Sequence, residues 1–397
     1  MKTYSSLLLA AAGFSVMVAT PAMAQNPTDC VTGHAAGTAL FSDQVASEHS
    51  SLWDIAYHDS YKVLTVADTE RGGDAKLTYL LVQCGTETPA LEGDLADALV
   101  VEVPVRTVGV AHRNALAMMA ELGVADRIAG LTNQMFTYAE TDAWYGDLFT
   151  KITEPQDIGR QEELDFEVVT ALEADVVFMP GYDQGQTYVG DQRARGLPLV
   201  LVSNRAEPTP LGSAEWLKMV SAFYNAEATA NAVFDDIETT YTETAAKVAD
   251  SVAGQGLQAA YGCIGDEGGC GFIHGHGGAS LNGQILDLMG FENAFAANND
   301  LPNGREYTFE EGLAATQDTD FLVLYWIDSG DVAASDPQYQ NVPAIADGKY
   351  IASVRDNYRF CDATAYIRVD RLVRDYAIGF DPGLFPGEDA VCFRKPN

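Results

Sequence analysis

The chain has 397 residues, 47% of them hydrophobic and 20% charged, which is enough for two or three globular domains with sizeable cores. Asp and Glu outnumber Lys and Arg by 57 to 23, so the formal net charge is −34. A surface this negative repels nucleic-acid phosphates and anionic lipid head groups, which excludes nucleic acids and membrane surfaces as expected partners.

Residues 1–24 have the pattern of a secretory signal peptide. Lys2 provides a short positive start, and residues 7–19 form an apolar run that is too short to span a bilayer. The segment Ala22-Met23-Ala24 is a small-residue cleavage site, so we expect the mature chain to begin at Gln25. This pattern predicts an exported, periplasmic protein with no stable membrane insertion.

Residues 26–103 are predicted to form a β-rich N-terminal extension. Two runs of β-branched and aromatic residues, 61–67 and 77–83, flank a turn cluster at residues 70–74, which predicts a hairpin. Residues 99–103 predict a third short strand.

Residues 104–210 alternate between strand and helix patterns, which predicts a parallel sheet covered by helices. The predicted strands are 107–110, 128–131, 176–179 and 199–202. One predicted helix begins with Asn114 as its cap and ends at Gly123, and a second occupies 167–172. We interpret this region as the N-terminal α/β lobe.

Residues 211–253 show a sustained apolar spacing that predicts a long spine helix with at most one break, near Asn225. The α/β pattern then restarts and continues to residue 397. Its predicted strands are 258–264, 321–327 and 350–354, and its predicted helices are 284–289 and 363–378. The sequence therefore predicts an α/β fold with two Rossmann-like lobes joined by one long spine helix.

Five segments, taken in order, resemble one protein family. They lie at residues 106–130, with Leu-Gly-Val-Ala-Asp-Arg-Ile from Leu122, and at 157–177, 277–295, 308–313 and 342–350. They are similar to the class III substrate-binding proteins of ABC importers for iron–siderophore complexes, haem and vitamin B12. The resemblance implies a monomer that captures a small-molecule metal chelate between its lobes and delivers it to the transmembrane subunits of an ABC permease. It implies no cofactor and no chemistry on the ligand.

Loops that follow the predicted strands carry the candidate binding residues, because ligands of open α/β sheets lie beyond the carboxyl ends of the strands. Arginine binds carboxylate or phenolate oxygens, and aromatic faces cover flat ligands, which suits an anionic iron chelate. We expect Arg355 and Arg359 to face the cleft opposite His112 and Arg113. The full predicted set is His112, Arg113, Asn133, Tyr138, Tyr182, His274, His276, Trp326, Arg355, Tyr358 and Arg359.

Three alternatives to an iron–siderophore ligand stay open. Within the same family, the ligand is cobalamin or haem. In a second class, His274 and His276, placed by the pattern in a glycine-rich loop, bind a metal ion directly with a carboxylate. In a third class the chain is a hydrolase around Ser280, because the segment Gly278-Ala-Ser280-Leu-Asn282 is similar to a nucleophile elbow that lacks its final glycine.

The resemblance further implies that one glutamate on each lobe docks on the permease. The matching positions are Glu167 and Glu310, with Glu311 as a substitute for Glu310.

The chain has 6 cysteines, and an even number in an oxidising compartment favours disulfides. Many pairings are possible for this number. Their positions favour one set, because two pairs flank a short loop or the last helix and the third is what remains. The predicted pairs are Cys263–Cys270, Cys361–Cys392 and Cys30–Cys84.

Overall fold

The computed structural model describes residues 25–35, 37–181, 188–265, 270, 273–295, 304–326 and 328–396. The predicted signal peptide and the predicted binding residue Tyr182 lie outside these ranges. Among the described residues, no helix combines the length and the apolar character that a bilayer crossing requires.

The N-terminal extension forms a four-stranded sheet with the order β1-β2-β3-β4. The predicted hairpin is formed by β2 and β3, and β4 runs parallel to β3. Burial alternates along β2, so one face of the sheet packs inward, where it shares a core with the first lobe. The strands are β1 (Trp53–Tyr57), β2 (Tyr61–Ala67), β3 (Lys76–Gln83) and β4 (Leu99–Val103).

The first lobe contains a parallel five-stranded sheet with the order β11-β10-β5-β6-β7. The carboxyl ends of these strands therefore meet at one edge. The strands of this lobe are β5 (Val108–Val110), β6 (Ile128–Leu131), β7 (Gln156–Asp157), β8 (Gly159–Arg160), β9 (Glu163–Leu164), β10 (Val176–Pro180) and β11 (Leu199–Val202). Strands β8 and β9 pair with each other outside the five-stranded sheet. The helices are α1 (Arg113–Glu121), α2 (Asn133–Thr141), α3 (Ala143–Phe149), α4 (Phe166–Ala171) and α5 (Tyr188–Ala194).

The predicted cap at Asn114 is wrong. Helix α1 begins at Arg113, two residues earlier than a cap at Asn114 implies, so that His112 is its N-terminal flanking residue and Asn114 lies in the first turn. The Asn114 side chain is fully buried, and its Nδ2 donates a hydrogen bond of 2.7 Å to the carbonyl of Ala363 in the other lobe. The Asn114 side chain therefore makes a contact between the lobes, which sequence spacing does not encode.

The spine consists of two helices, α6 (Pro210–Ser221) and α7 (Glu227–Val252), and the predicted break near Asn225 is confirmed. Asn225 has a φ of 55°, a left-handed conformation that asparagine tolerates better than most residues and that ends a helix. Thr209 caps α6 by accepting a hydrogen bond from Gly212, and Pro210 occupies the first helical position.

The second lobe repeats the α/β arrangement with the sheet order β15-β13-β12-β16-β17-β18, while β14 pairs with β12. Strands β12, β16 and β17 are parallel, and β13 is antiparallel to β12. The strands are β12 (Gln258–Ile264), β13 (Ile273–His276), β14 (Glu292–Asn293), β15 (Arg305–Tyr307), β16 (Thr319–Leu324), β17 (Tyr350–Ser353) and β18 (Phe393–Arg394). The helices are α8 (Leu281–Leu288), α9 (Phe309–Ala315), α10 (Ser329–Ser335), α11 (Pro343–Ala346), α12 (Tyr358–Thr364) and α13 (Val369–Phe380).

Two predictions for the second lobe need correction. The segment predicted as one closing helix, 363–378, belongs to α12 and α13, with residues 365–368 between them. His274 and His276 lie on strand β13 and not in a loop, because this glycine-rich segment pairs in register with β12.

The three predicted disulfides are confirmed. The Cα atoms are 4.6 Å apart in Cys30–Cys84, 5.5 Å in Cys263–Cys270 and 5.6 Å in Cys361–Cys392. These distances lie within the usual range for the bond. The third bond ties the C-terminal segment to α12.

Candidate functional site

A cavity of about 560 Å³ lies between the two lobes. Its size falls within the range of roughly 300–1,000 Å³ that is typical of small-molecule sites. The first lobe contributes Arg113, Gln134, Tyr138, Asn204, Arg205 and Glu207 to its wall. Aromatic and histidine side chains of the second lobe line much of the opposite wall, with Arg359 and Asp362 beside them.

Many of these side chains lie just after the carboxyl ends of strands, as expected for a ligand site of an open α/β sheet. Arg113 follows β5, Gln134 follows β6, and Arg205 follows β11 at the shared edge of the first-lobe sheet. Tyr325 and Trp326 follow β16 in the second lobe. The cleft is therefore formed where the carboxyl edges of the two sheets face each other.

Three guanidinium groups are held at the cavity wall. Arg113 Nε forms an ion pair of 2.9 Å with Asp362, which joins the two lobes. The Arg205 guanidinium lies 4.3 Å from the ring centre of Tyr366 and donates a hydrogen bond of 3.2 Å to its hydroxyl. Cation–π contacts of this kind orient the positive charge without neutralising it.

Arg359 lies against two tyrosine rings that also line the cavity. Its guanidinium carbon is 4.5 Å from the ring centre of Tyr138, in the first lobe, and 5.5 Å from that of Tyr358. Among the described residues, no carboxylate forms an ion pair with Arg359. The cavity therefore offers a guanidinium positioned against two tyrosine rings, which suits an anionic and partly aromatic ligand.

A cluster of two histidines and two tyrosines lines the cavity on the side of the second lobe. Residues two apart on a strand face the same side, so the rings of His274 and His276 lie 4.9 Å apart. Nδ1 of His274 is 2.9 Å from the hydroxyl of Tyr325, and the Tyr325 ring stacks on that of Tyr261 at 5.0 Å.

Burial keeps both imidazoles neutral. Desolvation lowers the pKa of His274, and desolvation, with the neighbouring His274, lowers the pKa of His276 to about 4. Nε2 of His276 is buried and has no hydrogen-bond partner among the described residues. A neutral ring with a nitrogen not bonded to protein can meet a ligand donor or a metal centre.

We expect His276 to make the ligand-free protein less stable in mild acid. Its folded pKa lies below the ordinary value of 6.5, so its contribution is fully present above pH 6.5 and is lost as the pH falls towards 4. This loss is about 3 kcal/mol, because a pKa lowered from 6.5 to about 4 corresponds to about 1.4 kcal/mol per unit. Thermal unfolding between pH 7 and pH 4 should show a shallower pH dependence in His276→Gln than in the wild type. His58→Gln, a change on the exposed surface, is the control, and an equal change in both variants would contradict the assignment.

The structure brings most of the predicted binding residues to the cavity. Those that line it are Arg113, Tyr138, His274, His276, Trp326, Tyr358 and Arg359. His112 does not line it and is buried at the N-terminal end of α1, where desolvation and then Arg113 lower its pKa. Asn133 lies in an adjoining depression of about 330 Å³ that shares Arg113 with the cavity.

Arg355 lies away from the cavity wall. Its side chain is 56% exposed and forms ion pairs with Asp328 and, at 2.9 Å, with Asp331. The expected placement of Arg355 in the cleft therefore does not agree with the structure, because these acids at the start of α10 hold the side chain on the surface.

Several cavity residues were missed from the sequence. Arg205 follows the fourth predicted strand and could have been found by the same strand-end rule. Tyr261 and Tyr325 lie in or directly after buried strands, where an aromatic residue is more often part of a core. Tyr366 lies between α12 and α13, and no sequence pattern indicates that it faces a cleft.

Ser280 is a helix cap. Its Oγ donates a hydrogen bond of 2.8 Å to the carbonyl of Gly277 and accepts one of 3.0 Å from the amide of Gly283, at the start of α8. The side chain is 3% exposed. Both bonds satisfy backbone groups, which explains the serine without a nucleophilic role.

Comparison with known proteins places this geometry in context. A family model described as periplasmic binding protein matches residues 110–353, more than half of the chain. An uncharacterized lipoprotein from Methanocaldococcus jannaschii is 22% identical over 309 residues, which cover 75% of this chain and 70% of the relative.

Solved structures of the same kind share the fold. The petrobactin-binding protein of Bacillus subtilis has a TM-score of 0.52 and 16% identity, covering 70% of this chain and 92% of its own. A periplasmic heme-binding protein from Pseudomonas aeruginosa has a TM-score of 0.54 and 14% identity, covering 74% of this chain and 98% of its own. At these identities, the likeness establishes a common two-lobed architecture.

Proposed function

Because the chain belongs to the periplasmic binding protein family, we propose that it captures an anionic iron–siderophore-type chelate and delivers it to an ABC importer of the inner membrane. Members of this family bind ligands and are not enzymes, and with the capping role of Ser280 this removes the hydrolase alternative. The predicted signal peptide supports a periplasmic location for the proposed capture.

One observation carries the proposed ligand class. The cavity between the lobes combines Arg113, Arg205 and Arg359 with tyrosine and tryptophan faces, in a chain whose net charge is −34. A protein so rich in acids has few basic residues to place, and a bare cation would be repelled by arginines in its site. Anionic catecholate or carboxylate groups around a metal fit this lining.

The decisive experiment is an absorption spectrum and a mass spectrum of the protein purified from its native host without chelators. We expect a coloured species whose mass is that of an anionic iron chelate. Haem or cobalamin would each give its own spectrum and identify an alternative ligand of the same family. A cationic ligand with no acidic groups would contradict the proposal.

Direct binding of a metal ion has weaker support. His274 and His276 could supply two nitrogen ligands, yet among the described residues no group of three or more His, Cys, Asp or Glu side chains is arranged to hold a metal. A chelate that brings its own oxygen ligands needs no such group. Metal content after treatment with a strong chelator, measured with and without His274→Ala, separates the two possibilities.

The two proposed docking glutamates occupy matching settings in the two lobes. Glu167 follows the cap Asp165 and Phe166 at the start of α4, and Glu310 follows Thr308 and Phe309 at the start of α9. Both glutamates are exposed. A two-fold permease would meet equivalent sites on both lobes, so this symmetry supports Glu167 and Glu310 as its contacts.

Contacts at the start of α9 favour Glu310 over Glu311. The Glu311 carboxylate accepts a hydrogen bond of 3.2 Å from the backbone amide of Thr308 and completes a capping box. That carboxylate is therefore engaged within its own helix, whereas the Glu310 side chain is exposed at the helix surface.

Replacing both docking glutamates should lower transport strongly and leave ligand binding unchanged. We expect Glu167→Ala with Glu310→Ala to lower uptake in a reconstituted transporter at least about tenfold, since a lost charge contact across an interface typically costs 2 kcal/mol or more. Ligand affinity should stay at the wild-type level. The control is Glu243→Ala on the exposed face of α7, and full transport by the double variant would overturn the assignment.

A further inference from the structure

Residues 48–51 of the N-terminal extension are bound by two carboxylates, that of Glu215 on α6 and that of Glu207 just before α6. Glu215, which is fully buried on α6, accepts hydrogen bonds from the backbone amides of Glu48 at 3.0 Å, His49 at 2.8 Å and Ser50 at 2.7 Å. Lys218 lies 3.2 Å from the same carboxylate. Three consecutive amides thus fix the path of this segment against α6.

The second carboxylate belongs to Glu207, which lines the ligand cavity. One of its oxygens accepts hydrogen bonds from the hydroxyl of Ser50 and, at 2.7 Å, from the indole N–H of Trp216. The other accepts a hydrogen bond of 3.1 Å from the backbone amide of Ser51. The Ser51 hydroxyl donates a longer hydrogen bond of 3.4 Å to that second oxygen. Both oxygens are therefore engaged, and three of the four donors come from the extension.

Glu207 occupies a position that would otherwise work against an anionic ligand. It lies two residues after Arg205, directly beyond the 3₁₀ turn Asn204–Ala206 that forms the cavity wall. A carboxylate that turned towards the cavity would repel the negatively charged oxygens of such a ligand. Hydrogen bonds from Ser50, Ser51 and Trp216 hold the Glu207 carboxylate in its position.

A second contact of the extension supports the same wall. The turn between β2 and β3 carries Glu70, whose carboxylate accepts hydrogen bonds from the amides of Val189 at 3.2 Å and Gly190 at 3.0 Å. In the same turn, the Thr69 hydroxyl lies 3.2 Å from that of Ser203, the residue before the 3₁₀ turn. The extension therefore contacts the residue before the 3₁₀ turn, Ser203, and the residue after it, Glu207.

We propose that the N-terminal extension, which lies entirely outside the family match, is a positioning element of the ligand site. Its residues Ser50 and Ser51 engage the Glu207 carboxylate, so that this negative charge is not turned towards the ligand. This inference rests on the proposed function for the sign of the ligand's charge. The contacts themselves do not depend on that proposal.

The test compares two ferric chelates of similar shape and different charge, a tris-catecholate with three negative charges and an uncharged tris-hydroxamate. Ser50→Ala should weaken binding of the tris-catecholate about fivefold, the effect of one lost hydrogen bond to a charged group, and change binding of the tris-hydroxamate less than about twofold. Ser50→Thr, which keeps the hydroxyl, should restore affinity. Ser47→Ala, the same change three residues earlier in the chain, is the matched control.

A double-variant cycle identifies Glu207 as the group through which Ser50 acts. Glu207→Gln removes the charge and keeps a carbonyl oxygen, so affinity for the tris-catecholate should rise about threefold, and Ser50→Ala added to it should have less than about a twofold effect. Equal losses for both chelates in Ser50→Ala, or an undiminished effect in the Glu207→Gln background, would overturn the inference.

A ligand-free measurement keeps this inference separate from the proposed function. Because Ser50 and Trp216 donate to the same Glu207 oxygen, Ser50→Ala should shift the indole N–H resonance of Trp216, assigned with Trp216→Phe, while Ser47→Ala leaves it unchanged. If the wild type binds neither ferric chelate, the proposed ligand class fails, and this resonance still tests the contact. No shift in Ser50→Ala would overturn the positioning role by itself.

Discussion

Replacing Arg359 by alanine is expected to cost about 2–5 kcal/mol of binding free energy for an anionic chelate, the usual loss when one partner of a buried charge-assisted contact is removed. The guanidinium is held between the rings of Tyr138 and Tyr358, so it reaches the ligand at little cost in side-chain entropy. Titration of a ferric tris-catecholate, followed by quenching of Trp326 at the cavity wall, measures the loss. Arg359→Lys should recover only part of it, because lysine lacks the planar fork.

Arg355 is the matched control for this prediction. It lies four residues earlier in the chain, carries the same group, and pairs on the surface with Asp328 and Asp331. We expect Arg355→Ala to leave affinity within about twofold of the wild type, since exposed ion pairs contribute little. Equal losses in both variants, or wild-type affinity in Arg359→Ala, would contradict the proposed role of Arg359.

The contrast between these two arginines shows what a strand-end rule can and cannot predict. Both follow β17, and the sequence predicts both to face the cleft. Arg359 reaches it because α12 begins at Tyr358 and turns its first residues towards the first lobe. Arg355 instead forms ion pairs with Asp328 and Asp331 at the start of α10, about 25 positions earlier in the chain. No local sequence pattern indicates that pairing.

Short strands between clear turn signals were the most predictable part of the fold. Predicted segments 61–67, 128–131, 199–202 and 258–264 agree with the bounds of β2, β6, β11 and β12. These runs are rich in residues that pack well in sheets and are bounded by turn residues. Strand β13 was missed because Gly275 between His274 and His276 weakens the pattern, and only pairing with β12 makes this segment extended.

Buried charge was the least predictable part. Lys62 lies in a predicted strand, where an alternating pattern would place a lysine on the solvent side, yet its side chain is fully buried. Its Nζ donates hydrogen bonds of 2.7 Å to the carbonyl of Ala222 and to Asn225, and of 2.5 Å to Glu227. The lysine thus donates hydrogen bonds to a carbonyl at the end of α6 and to a carboxylate at the start of α7, more than 150 residues away in sequence.

This contact explains how the spine breaks without exposing its helix ends. The carbonyl of Ala222 has no helical partner beyond the break, and Glu227 in the first turn of α7 carries a charge that the burial would otherwise make costly. Asn26 and Tyr57 of the extension add hydrogen bonds of 2.8 Å and 3.3 Å to the Glu227 carboxylate. The extension therefore supplies the groups that the break requires.

Lys62→Met is accordingly expected to lower the free energy of unfolding by about 3–5 kcal/mol, because it leaves the Glu227 charge buried without its cation. Urea unfolding with the disulfides intact measures the change. Lys76→Met, an exposed lysine at the start of the neighbouring strand β3, should stay within about 0.5 kcal/mol of the wild type. Adding Glu227→Gln to Lys62→Met should recover part of the loss, since the amide has no charge to desolvate and its single oxygen can still accept the hydrogen bond from Asn26. If Lys62→Met and Lys76→Met were equally stable, the buried pair would not be what holds the extension to the break in the spine.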